Sequence, residues 1–118
     1  MKRDPRAFLN DVIEPGHAIQ QAVAGINLDD YCNSRLIRSS VEREFTIIGE
    51  ALNQLSQRDE DRFPQIDQAP QIISFRNKLT HEYTIINHRL VWGVILNNLP
   101  ALLKQCAQLL NDLEGEAS

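Results

Sequence analysis

The stretch Ser34 to Leu55, SRLIRSSVEREFTIIGEALNQL, decides the fold class. Ile37, Val41, Phe45, Ile48, Leu52 and Leu55 follow one another at steps of four, four, three, four and three residues. That spacing draws one continuous apolar stripe down a helix, with polar residues filling the other sides. The period-two alternation of a half-buried strand is not found convincingly anywhere in the chain.

Outward from this helix the same periodicity returns. Toward the N-terminus, Phe8, Leu9, Val12, Ile13, Ile19, Ala22, Val23 and Ile26 recur at helical spacing and predict a helix from about Asp4 to Ala24. Asp4 is a natural N-cap, and Pro5 suits the first helical position because the N–H it lacks would be unpaired there. Pro15-Gly16 interrupts the pattern and predicts a kink or break, since Pro removes a backbone hydrogen bond. Asn27 can cap a short helical turn over Leu28 to Asp30.

Beyond Leu55 the composition turns polar and proline-containing as far as Pro70, which predicts a connector with one helical turn near Pro64. A third helix follows from about Pro70 to near His81, with Ile72, Phe75 and Leu79 on one side and Tyr83 a candidate for the same side. A fourth begins after Asn87 and runs to about Asp112, its apolar set being Val91, Val94, Ile95, Leu99, Leu102, Leu103, Ala107, Leu110 and Leu113. Pro100 should bend or restart it. The polar residues 114–118 are expected to fray.

Long helices joined by short links predict an all-α chain: an up-and-down bundle of four main helices, with proline kinks in the first and last. The 118 residues are read as one domain, 1–118. Apolar faces this long in so short a chain leave surface over, and a two-fold homodimer is the expected way to bury it.

Composition removes several function classes. No apolar run approaches the roughly 18 residues that a membrane span requires. Met1, Lys2, Arg3, Asp4 and Pro5 carry no secretory core, so the expected location is the cytoplasm. Cys32 and Cys106 lie far apart and read as unreactive thiols. His17, His81 and His88 have no metal-ligand spacing, so neither metal nor cofactor is expected. A net charge of −4 argues against a broad basic face for duplex nucleic acid. Locally the balance reverses: from Arg76 to Arg89 the chain carries Arg76, Lys78 and Arg89 against Glu82 alone. A basic segment on an acidic protein suits an anionic ligand, or is simply a mixed-charge surface.

That segment, Arg76-Asn77-Lys78-Leu79-Thr80-His81-Glu82-Tyr83, also carries the chemistry. Arg76 offers a planar fork of donors matched to phosphate oxygens, and His81 can take and return a proton near neutral pH. Together they suffice to cleave a phosphodiester with RNA's own 2′-hydroxyl as nucleophile, with no metal ion. Asn77 and His81 are four apart, share a helical face and can hydrogen-bond. Arg76 and His81 are five apart, about 140° around an ideal helix. Either the helix loosens near Thr80 and His81, or the pocket lies between two copies of the segment. Lys78 and Thr80 are further cleft-lining candidates. Arg43 and Glu50, seven apart on the second helix, either line the same cleft or form an ordinary surface pair. Trp92 reads as packing, and His17 and His88 as exposed.

The spacing Arg76, four residues, His81, one residue, Tyr83 resembles the RxxxxHxY motif of HEPN-domain proteins, the HepT family in particular. Val41-Glu42-Arg43-Glu44-Phe45 with Ile48-Gly49-Glu50-Ala51-Leu52 resembles that family's second-helix signature. Phe75 to Tyr83 is similar to its core block, and Val91-Trp92 with Asn98-Leu99-Pro100 to the stretch that follows. All motif positions match; Pro15-Gly16 in the first helix is less typical. The resemblance implies a HEPN-like helical dimer with the motif helices facing each other, acting as the toxin ribonuclease of a toxin–antitoxin pair. It implies Arg76 and His81 as the catalytic pair and Asn77 as a polar helper. The implied antitoxin is an MntA-type nucleotidyltransferase that silences the toxin by AMPylation of Tyr83. RNA is the implied substrate, with transfer RNA one candidate by analogy. The alternative is a non-catalytic helical partner and substrate subunit of such a transferase.

Overall fold

The computed structural model describes residues 3–81 and 87–117. They form six α-helices, and no strand occurs among them. Helix α1 spans Pro5–Ala22, α2 Leu28–Asn33, α3 Arg35–Arg58, α4 Ala69–His81, α5 His88–Asn97 and α6 Leu99–Ala117; a 3-10 turn covers Phe63–Gln65. The fold is all-α, as the sequence predicts.

Local chemistry sets most of the boundaries. The Asp4 carboxylate accepts from the Arg6 N–H at 2.9 Å and caps α1, with Pro5 at its first position. Asn27 and Asp30 form a reciprocal capping box on α2, each side chain accepting from the other's backbone N–H. The Ser34 hydroxyl accepts from the Ile37 N–H at 3.2 Å and starts α3. The Asn87 amide oxygen accepts from both Arg89 and Leu90 N–H groups and starts α5.

Three boundaries differ from the sequence expectation. Helix α1 runs unbroken through Pro15-Gly16. Both residues are buried, and Leu103 of α6 fills the space where a Gly16 side chain would lie, so packing supports the turn that Pro15 weakens. The expected fourth helix is two: α5 ends at Asn97 and α6 restarts at Leu99, which places Pro100 in a first turn that needs no N–H from it. Helix α6 then continues through the polar tail to Ala117, past the end expected at Asp112. There the Glu116 carboxylate accepts from Arg62 at 3.0 Å and ties residues expected to fray to the connector.

Helix α3 is the central strut: α1 and α4 pack on it, α6 packs on α1 and α5, and α2 bridges α3 and α5. Its stripe residues Val41, Phe45, Ile48, Leu52 and Leu55 are buried, and Phe45 meets Phe75 of α4 edge-to-face at 5.1 Å. Burying each such side chain stabilises the fold by roughly 1.5–3 kcal/mol. Trp92 packs against Tyr31, ring centroids 5.5 Å apart. In the connector Ile66 is fully buried and acts as a plug.

Candidate functional site

Helix α4 is anchored by Ile72, Phe75 and Leu79, all buried. Arg76, next to Phe75, therefore emerges on the flank of α4 that meets α3. Gly49 stands opposite: a Cβ there would overlap the Cβ and Cγ of Arg76. A glycine at this one position lets the aliphatic stem of Arg76 lie directly on the α3 backbone.

The guanidinium is held at both ends. Arg76 Nη2 donates to Glu50 Oε2 at 2.5 Å, and Nη1 donates to Asn77 Oδ1 at 3.0 Å. The arginine side chain is 21% exposed against 48% for Glu50, so the cation is the more deeply set partner. The Arg76 Nε is buried without a hydrogen-bond partner among the described residues. Glu50 is itself fixed, because its Oε1 accepts from Gln54 Nε2 at 3.0 Å, while Gln54 Oε1 accepts from Arg58 Nε at 3.3 Å. These groups border a groove of about 330 Å³ whose walls include Arg3, Phe8, Ile47, Glu50, Gln54 and Arg76.

The other sequence candidates scatter around this centre. His81 is exposed at the end of α4. Asn77, expected as a partner for His81, turns its amide oxygen to Arg76 instead. The Thr80 hydroxyl donates to the Arg76 carbonyl at 3.0 Å, which satisfies it within the helix. Lys78 lines a different hollow, with Phe75, Leu90, Val94 and Asn98 between α4 and α5. Arg43 is exposed on α3, and Glu50 pairs with Arg76 rather than with it. Tyr83 and Glu82 lie outside the described residues. His17 is exposed as expected, but His88 is half-buried with its Nδ1 enclosed, close enough to Glu42 to act on it electrostatically.

Two members of the site escape a reading by residue chemistry, Gly49 and Gln54. A lone glycine inside a strong helical pattern is the sign of a close approach, and Gln54 stands four residues after Glu50 on the same face.

The chain is similar in sequence to several known proteins. A protein of Methanocaldococcus jannaschii named as a candidate RNase is 30% identical over 115 residues, covering 98% of this chain and 94% of the relative. A similarly named protein of Caldanaerobacter subterraneus subsp. tengcongensis is 29% identical over 108 residues, 92% of this chain and 96% of its own. A protein of Thermococcus cleftensis named probable ribonuclease HepT is 26% identical over 102 residues, 86% and 92% of the two chains. No solved structure matches the chain. The family model described as ribonuclease HepT-like matches residues 13–109, a span that takes in Gly49, Glu50, Arg76 and His81, and the chain belongs to that family.

Proposed function

We propose that this chain is an endoribonuclease that cleaves RNA by attack of the ribose 2′-hydroxyl, without a metal ion, as the toxin of a toxin–antitoxin pair. One observation carries the reading. A guanidinium is set into the α3–α4 junction by Glu50 and Asn77, and an open imidazole lies five residues further along the same helix, in a ribonuclease family.

The roles follow from chemistry. His81 removes the proton from the 2′-hydroxyl or protonates the departing 5′-oxygen. The Nη hydrogens of Arg76 not used by Glu50 and Asn77 stabilise the charge that builds on the phosphorane. The 2′-oxygen bonds to phosphorus, the 5′-oxygen leaves, and the product carries a 2′,3′-cyclic phosphate. With about 140° of helix between them, Arg76 and His81 of one copy face different directions. A two-fold homodimer that brings two α4 helices together supplies both groups to one phosphate, and the second His81 performs the complementary proton transfer.

Replacing His81 by Ala removes a general acid–base contribution on the order of 10² to 10⁴ in rate. The measurement is the appearance of 5′-hydroxyl ends in cellular RNA, transfer RNA included, with and without chelator. Parent-rate cleavage by His81→Ala, or inhibition of the parent by chelator, defeats the scheme.

The same proposal makes Tyr83 the regulatory position. An MntA-type transferase that attaches AMP there adds bulk and negative charge two residues from His81, where an RNA phosphate must dock. Mass spectrometry after co-expression with such a transferase should find the adduct on Tyr83. A Tyr83→Phe chain that still gains AMP contradicts the assignment.

A further inference from the structure

We propose that Glu50, steadied by Gln54, is a positioning residue for Arg76, and that it sets the angle at which the guanidinium meets the scissile phosphate; this rests on the ribonuclease reading above. Both carboxylate oxygens are committed. Oε2 accepts from Arg76 Nη2 at 2.5 Å, and Oε1 accepts from Gln54 Nε2 at 3.0 Å. A carboxylate that accepts at both oxygens is less free to swing with its partner, so it defines a direction as well as a charge. Gln54 is held in turn by Arg58 at 3.3 Å, which extends the row along successive turns of α3.

The arginine has little other means of orientation. Its stem lies on Gly49, which allows close approach but has no side chain to grip it. Its Nε has no hydrogen-bond partner among the described residues, so torsional control of the fork falls to the two Nη contacts. Asn77, the neighbour in sequence, holds Nη1 from α4 itself, while among the described residues Glu50 is the one that ties the fork to α3. A simple surface ion pair would contribute little and leave both side chains mobile. Here the cation is the more buried partner, and misplacing a reacting group by about 1 Å can cost on the order of 10² in rate.

The test combines kinetics with nitrogen NMR of the arginine side chain, using full-length wild type, Glu50→Ala and Glu50→Gln, with total cellular RNA as substrate. Glu50→Ala should lower kcat on the order of 10²-fold, with a smaller change in KM. Glu50→Gln, which keeps an oxygen facing Nη2, should lose less and covers the case in which the alanine variant folds poorly. In the wild type the Arg76 Nη signals should be resolved, because two hydrogen bonds slow rotation of the fork; in Glu50→Ala they should merge. Unchanged or increased cleavage in Glu50→Ala overturns the proposal, as does a loss that leaves the Arg76 signals resolved. A wild-type chain that cuts no RNA while its Nη signals are resolved instead overturns the ribonuclease reading on which the role depends.

Discussion

Arg76 and Glu42 are both charged and both partly withdrawn from water, but their surroundings act on them in opposite senses. Arg76 meets a carboxylate and an amide oxygen, and its charge is compensated where it sits. Glu42 lies beside Tyr31, Arg38 and His88, and burial pushes its carboxyl above the ordinary value of 4.5, with His88 and Arg38 only partly opposing. The sign of the consequence is fixed by linkage. The folded state holds the Glu42 proton to a higher pH than the unfolded chain does. The associated stability is fully present below the unfolded carboxyl's range and is lost as pH rises through the folded value. Glu42→Gln removes that loss, so its melting temperature should gain on the wild type between acid and neutral pH. A difference that stays constant or shrinks contradicts this account. Burial also pushes the Cys106 thiol up to about 12, in keeping with the unreactive role its isolation in the sequence suggests.

Among the helices, close approach is managed by two glycines with different neighbours. At Gly49 an added methyl meets the Cβ and Cγ of Arg76, the part of that side chain fixed to the α4 backbone. At Gly16 it meets the far end of Leu103, which can change rotamer. Alanine in a helix interior is favoured over glycine by roughly 1 kcal/mol, and overpacking a tight contact costs roughly 1–3 kcal/mol. Gly49→Ala should therefore destabilise the fold by up to about 2 kcal/mol, and displace Arg76 with it. Gly16→Ala should be close to neutral. Denaturant titration of the two variants ranks them; the reverse order would show that α4 yields more easily than Leu103. The phase of α6 is a second matter settled between elements. Leu109 and Leu110 are adjacent leucines and Cys106 and Ala107 adjacent small residues, so spacing alone permits either set. Packing buries Cys106 and Leu109 and leaves Ala107 exposed.

At the scale of the molecule, several large apolar side chains stay in water: Leu36 is 83% exposed, Leu96 55% and Leu90 48%. No helix among the described residues is long and apolar enough to cross a membrane, so these side chains do not belong to a spanning segment. The homodimer proposed above to bring two α4 helices to one phosphate is one way to cover such side chains. Light scattering at micromolar concentration should return twice the chain mass of 13.5 kDa. A monomer at that concentration removes the shared-groove scheme, because Arg76 and His81 of one copy diverge around α4.

Helical class, the caps at Asp4 and Asn27 and the α3 stripe were legible in the sequence because each depends on neighbours within about four residues along the chain, where helical geometry is fixed in advance. The continuity of α1 through Pro15, the inward faces of Cys106 and Leu109, and the pairing of Glu50 with Arg76, 26 residues away, were decided only in the tertiary structure. Each of these depends on which surface arrives from another helix. A periodic pattern names the face that will be covered, whereas the neighbour that covers it follows from packing the whole chain.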